Sequence, residues 1–136
     1  MKLRRGASGL NLALLLALAG CGGKDSVERV PVSGTVTFQG QPVQDGQIRF
    51  VPDAETATGV VIEAIENERY ATKSSGGLTP GKYRVEILAF DPQTPPPQTA
   101  EDPPRKQLIP DKYNQRTQLR LTVEPGQKAT AQNYAL

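Results

Sequence analysis

The chain has 136 residues with 16 lysines and arginines, 14 aspartates and glutamates, a single cysteine, and neither histidine nor tryptophan. A formal charge of +2 lacks the basic footprint of a nucleic-acid binder, so no nucleic-acid partner is expected. Without histidine, Ser-His-Asp and Cys-His catalysis, histidine-ligated zinc and imidazole proton shuttling are excluded, and one thiol cannot form an intrachain disulfide. The expectation is a non-enzyme with no catalytic residues, no metal and no cofactor.

Met1-Lys2-Leu3-Arg4-Arg5 forms a positive n-region, and Leu10 to Gly20 is an apolar run interrupted only by Asn11. That layout predicts a secretory signal over residues 1–20. The run is well short of the ~20 apolar residues that span a bilayer. Leu18-Ala19-Gly20-Cys21 resembles the bacterial lipobox, in which the cysteine is acylated and becomes the first residue after cleavage. Removing residues 1–20 takes Lys2, Arg4 and Arg5 with it, leaving 13 basic residues of the 16 against 14 acidic ones. The mature chain is therefore close to neutral. Residues 21–29 read as the lipidated cysteine and a flexible polar tether.

From residue 30 the pattern turns to period two. Val30, Val32, Val36 and Phe38 alternate with polar residues, Gly34 takes one inward place, and Gln39-Gly40-Gln41-Pro42 is a turn. Asp45-Gly46 is a second turn signal, followed by a strand with Ile48 and Phe50 inward. Val60, Ile62 and Ala64 form a third alternating set, Glu66-Asn67-Glu68 a polar turn, and Arg69 to Thr72 a short strand. Pro80-Gly81 suits a type II turn. It leads into the clearest strand, with Tyr83, Val85, Ile87 and Ala89 inward.

Residues 91–104 hold six of the twelve prolines and read as an extended crossover between sheets. Leu119, Leu121 and Val123 mark the next strand, Glu124-Pro125-Gly126-Gln127 a turn, and Ala129 to Leu136 a closing strand with Tyr134 and Leu136 on one face. The predicted class is all-β: a single antiparallel β-sandwich of seven to eight strands over residues 30–136.

The segment Val32-Ser33-Gly34-Thr35-Val36-Thr37-Phe38-Gln39-Gly40-Gln41-Pro42-Val43 resembles the opening hairpin of bacterial carboxypeptidase-regulatory-like and transthyretin-like domains. Leu78-Thr79-Pro80-Gly81-Lys82-Tyr83-Arg84-Val85 resembles their turn and following strand. Ile109-Pro110-Asp111-Lys112-Tyr113-Asn114, followed by Leu119, Leu121, Val123 and Gly126, looks like the ending of small planctomycete lipoproteins of this kind. The resemblance implies a prealbumin-like, Ig-like sandwich without chemistry of its own, serving as a spacer, adhesion or binding module. It also implies residence in the bacterial cell envelope, anchored through Cys21 to a membrane facing the periplasm or cell surface. Gly22, rather than aspartate, at mature position two points to the outer membrane.

Candidate sites are few. Glu63, Glu66, Asn67 and Glu68 lack the spacing and glycine of a calcium loop and read as a solvated hairpin tip. Glu63, Glu86 and Glu124 are expected on outward or turn positions. Tyr70 and Tyr83 fall on the inward alternation. Tyr113, with Lys112 and Asn114, is the expected binding loop for a glycan or peptide. A lysine–asparagine crosslink through Asn133 and Glu86 lacks a lysine in the first strand. The expected function is a lipid-anchored envelope lipoprotein acting as a structural or interaction module that meets an envelope protein or glycan; the alternative is a glycan- or peptide-binding module.

Overall fold

The structure is a computed structural model that describes residues 26–55 and 59–136. The expected signal peptide, the lipobox Leu18-Ala19-Gly20-Cys21 and the lipidation site Cys21 lie outside the described residues. Among the described residues nine strands are formed: β1 (Val32–Phe38), β2 (Gln41–Pro42), β3 (Asp45–Pro52), β4 (Val61–Glu66), β5 (Arg69–Ala71), β6 (Gly81–Ala89), β7 (Arg120–Val123), β8 (Thr130–Ala131) and β9 (Tyr134–Ala135). One 3₁₀ turn spans Asp111–Tyr113. The strands make a curled sheet in the order β2-β1-β5-β4-β3-β6-β7, antiparallel throughout. β8 and β9 instead run parallel to β1.

Alternation puts Ile48 and Phe50 of β3 directly opposite Ile87 and Val85 of β6, and all four are fully buried. Val30, Val32, Val36, Ile65, Leu78, Tyr83 and Val123 complete the centre of the core, while Phe38 and Leu119 are only partly buried against it. Such cross-strand apolar pairs are the unit of sheet stabilisation.

The third strand takes the opposite face to the one its apolar residues predict. Val60 and Ile62 are 52% and 49% exposed, Ala64 is exposed, and Glu63 and Ile65 turn inward. Because side chains alternate, a shift of one residue exchanges every buried position for an exposed one. The register is set by β3, which pairs Val61 with Phe50 and Ile65 with Gly46. Asp45-Gly46 does not turn; it opens β3. A Cβ on Gly46 would come 2.3 Å from the Leu88 carbonyl oxygen, so this glycine serves close strand approach rather than a bend.

Two hairpins use tight turns with both central residues at positive φ: Gln39-Gly40 (50° and 77°) and Asn67-Glu68 (49° and 64°). That is the type I′ geometry that matches strand twist. Pro80-Gly81 is not a type II turn, because Gly81 has φ 152° and already pairs with Val123. The proline-rich segment leaves β6 at Phe90 and returns to it at Gln107. It is a return loop between the neighbouring strands β6 and β7 rather than a crossover between sheets.

The first strand binds partners along both edges. The carbonyls of Val32 and Val36 accept from the Thr72 and Val43 amides on one edge, and those of Pro31, Ser33 and Thr37 from Thr130, Gln132 and Leu136 on the other. Between β8 and β9 the final segment arches over Gly34, where a Cβ would lie 1.8 Å from the Gln132 carbonyl oxygen. That oxygen accepts the Tyr70 hydroxyl at 2.7 Å. The rung missing at the arch is supplied by a side chain: the Thr35 amide donates to Asn133 Oδ1 at 3.0 Å.

Gly34→Ala should therefore lower stability by roughly 1–3 kcal/mol through overpacking against backbone. Asn133→Ala should cost about 0.5–1.5 kcal/mol by removing the partner of the Thr35 amide, while exposed Thr122→Ala stays within about ±0.5 kcal/mol. Glu68→Gly should gain up to about 1 kcal/mol by removing a side chain from the left-handed region. Urea unfolding midpoints at constant m-value check all four.

Candidate functional site

The expected binding loop is ordered mainly by its own contacts. Tyr113 closes the 3₁₀ turn, is half-buried, and meets Phe38 edge-on at 6.3 Å between ring centroids. The Lys112 ammonium sits 4.7 Å from the centre of the same ring, so the cation covers the ring. Asn114 is buried; its amide nitrogen donates to the Pro110 carbonyl at 3.3 Å, and its Oδ1 accepts from the Gln115 amide at 2.8 Å. Of the three, Lys112 alone is exposed.

Beside this loop, sharing Phe38 with it, is an apolar groove of about 180 Å³ lined by Phe38, Pro42, Val43, Phe90, Pro92 and Leu108. Leu108 is 48% exposed at its rim. Phe90 in that lining is covered by Arg105, the pin of the proline-rich loop. Arg105 Nη2 donates to Asp45 Oδ2 and to the Asp91 carbonyl, both at 2.7 Å, and the guanidinium lies 4.7 Å above the Phe90 ring. Asp102 organises the tip: its carboxylate accepts the Gln98 and Thr99 amides at 2.8 and 2.9 Å. Those two backbone bonds, Gln98 first, hold its pKa below the usual aspartate range.

A larger polar cleft of about 670 Å³ opens where β5 leaves β4 after a single paired position, Glu66–Arg69. Its walls carry Ser33 and Thr35 of β1, Glu66 of β4, and Arg69 and Lys73. Glu63 lines it too, although that carboxylate was expected in solvent and is 8% exposed. The Ser74 hydroxyl lies 2.8 and 2.7 Å from its two oxygens. The Ser75 hydroxyl and amide donate at 3.1 and 3.4 Å. A buried carboxylate needs such donors. The serine pair eleven residues downstream supplies them and ties the loop before Leu78 to β4. The spacing carries no local signal, which is why an outward reading of Glu63 is natural from sequence.

The hairpin tip at Asn67-Glu68 stands apart from Glu63, and among the described residues no group of three or more His, Cys, Asp or Glu is placed to hold a metal. Glu86 is engaged by Arg84 at 2.8 Å and Arg49 at 4.0 Å on the outward face. Asn133 is bonded to Thr35, separated from Glu86 by several strands of the sheet path. The chain matches no protein-family model and no curated protein.

Two of the tyrosines form a buried pair that closes the core beneath the arch. Tyr70 and Tyr134 rings lie 6.3 Å apart. Burial pushes the Tyr70 phenol far above its usual value, with repulsion from Tyr134 adding to it, and burial alone does the same to Tyr134. Both stay protonated when folded. An unfolded chain loses those protons above about pH 10, so it binds fewer protons than the native state there and stability falls as pH rises further. Tyr134→Phe should flatten that alkaline decline in melting temperature between pH 9 and 11 while changing little at pH 7. At neutral pH, Glu63→Ala should cost about 1–3 kcal/mol by stranding the serine donors. It should also speed amide hydrogen exchange at residues 73–77, and Glu63→Gln should recover most of both effects.

Proposed function

We propose that the protein is a lipid-anchored lipoprotein of the bacterial cell envelope whose β domain is a structural or interaction module rather than an enzyme. The observation that carries this reading is Leu18-Ala19-Gly20-Cys21, placed directly after a basic n-region and an apolar run. The domain is read as a small prealbumin-like sandwich. The antiparallel path, the single apolar interior and the absence of any long apolar helix among the described residues support that reading.

The root of the tether supports it too. Glu28 accepts the Gly126 amide, and Arg29 Nη1 donates to the Ser75 and Gly77 carbonyls at 3.3 and 3.2 Å. Only the stretch from Cys21 to Val27 is left to act as a tether. At full extension its seven links reach roughly 25 Å, enough to clear lipid headgroups and too little to let the domain roam. Outer-membrane residence follows from Gly22 as part of the same proposal.

A second reading, a peptide- or glycan-binding module, is favoured by the apolar groove beside Tyr113 with Leu108 at its rim. Saturable binding that Leu108→Asp abolishes would select it over a purely structural role.

The anchor is tested by Cys21→Ser in a bacterial host. Acyl chains contribute ~0.8 kcal/mol per buried methylene, so multiple chains hold a protein where one does so marginally. The variant should fractionate as soluble protein or unprocessed precursor and take up no labelled palmitate. A processed variant that stayed in the membrane fraction would overturn the lipoprotein reading.

A further inference from the structure

The outward face of β3, β6 and β7 gathers its basic residues toward the end formed by Pro52, Gly81 and Val123, although the mature chain is nearly neutral. Alternation places Arg49, Lys82, Arg84 and Arg120 there with Glu86 between them, Asp53 and Glu124 lie just beyond the strand ends, and the same face carries Asp45 and Glu66 at its far end, where Arg105 pairs with Asp45. The register puts Val51, Arg84 and Arg120 in one row and Ile62, Arg49 and Glu86 in the next. Val60 and Ile62, two of the most exposed large apolar residues, flank these arginines on the same face.

Arg84 stands directly opposite Arg120, a like-charge pair that disfavours the sheet. Glu86 reaches Arg84 and Arg49, whereas the Arg120 guanidinium donates only to the Thr117 and Leu119 carbonyls. The Arg84 Nε is buried with no hydrogen-bond partner. Arg120 thus has no ion pair among the described residues and stands on the same face as exposed apolar side chains, a composition suited to a layer of anionic headgroups over acyl chains.

The tether leaves the domain at the same end. Glu28 is fixed to Gly126 in the turn that follows β7, and Val123 pairs with Gly81 beside Lys82. The Arg84–Arg120 row lies three residues along from that pair, roughly 10 Å, well inside the reach of the tether.

We propose that this face lies on the anionic surface of the membrane that holds Cys21, with Arg49, Arg84 and Arg120 against headgroup phosphates and Val60 and Ile62 entering the headgroup layer. The inference rests on the lipid-anchor reading and adds an orientation to it: the domain lies down on its outward sheet face instead of standing free.

The chain from residue 21 onward, with Cys21→Ser to remove the anchor, isolates the face in a vesicle co-sedimentation assay. It should bind vesicles containing about a third phosphatidylglycerol, release as salt is raised, and leave pure phosphatidylcholine vesicles unbound. Arg84→Gln and Arg120→Gln should each weaken binding about five-fold. Arg120→Gln is the cleaner of the two because that side chain makes no ion pair among the described residues. Ile62→Ser should weaken binding and leave its salt dependence unchanged. Lys106→Gln, in the loop at the opposite end of β6, should stay within about two-fold, with circular dichroism confirming the fold of each variant. Equal binding to neutral and anionic vesicles, or an Arg120→Gln chain that binds like its parent, overturns the proposal. Either result leaves the anchor reading to the separate palmitate and fractionation test.

Discussion

The closure of this domain depends on a backbone passing over a position that has no side chain. Gly34 lies in the inward row of the first strand between Val32 and Val36, where any Cβ would occupy the space of the Gln132 carbonyl. With that space open, the last seven residues lie along the first strand. Their arch is held by one hydroxyl from the neighbouring strand and one side-chain amide. Tyr70 and Asn133 are therefore the two side chains that convert a steric permission into a fixed geometry. Hydrogen bonds of this kind are worth little net when made and more when one partner is left buried and alone.

The same arithmetic governs the charged groups. Glu63 is taken out of solvent and given hydroxyl and amide donors instead of a cation. Arg105 is 10% exposed and given a carboxylate, a carbonyl and an aromatic face. In each case a loop, residues 73–77 or 91–106, is joined to a strand through one charged side chain. Loops rich in serine, glycine and proline have little apolar surface to bury, so polar anchors supply their order.

Much of the fold is legible in the sequence where alternation is unambiguous. Val32 and Val36, Ile48 and Phe50, and Tyr83 to Ala89 each present one apolar row and one polar row, and the strands follow. The third strand is different because both of its rows look apolar: Val60, Ile62 and Ala64 against Val61 and Ile65. The decision between them is made by pairing with β3 and by donors eleven residues away, neither of which is a local property. Asp45-Gly46 misleads for a related reason: the glycine answers a tertiary contact with Leu88 that no dipeptide rule contains. The Lys112–Asn114 loop shows the converse, since residues suited to recognition are engaged in holding their own turn and the adjoining groove was invisible until Phe38, Pro42 and Leu108 were brought together.

The pairing of the first strand with the last has a consequence for the order in which the chain can acquire its structure. Thr35 and Asn133 are 98 positions apart, and one edge of β1 has no partner until residues 130–136 arrive. Contacts of such long range slow folding because the intervening chain must be closed before they reward it. A chain that has not yet acquired residues 130–136 cannot complete the sheet. The parallel pairing of β8 and β9 with β1 therefore delays closure of the sheet until residues 130–136 are in place.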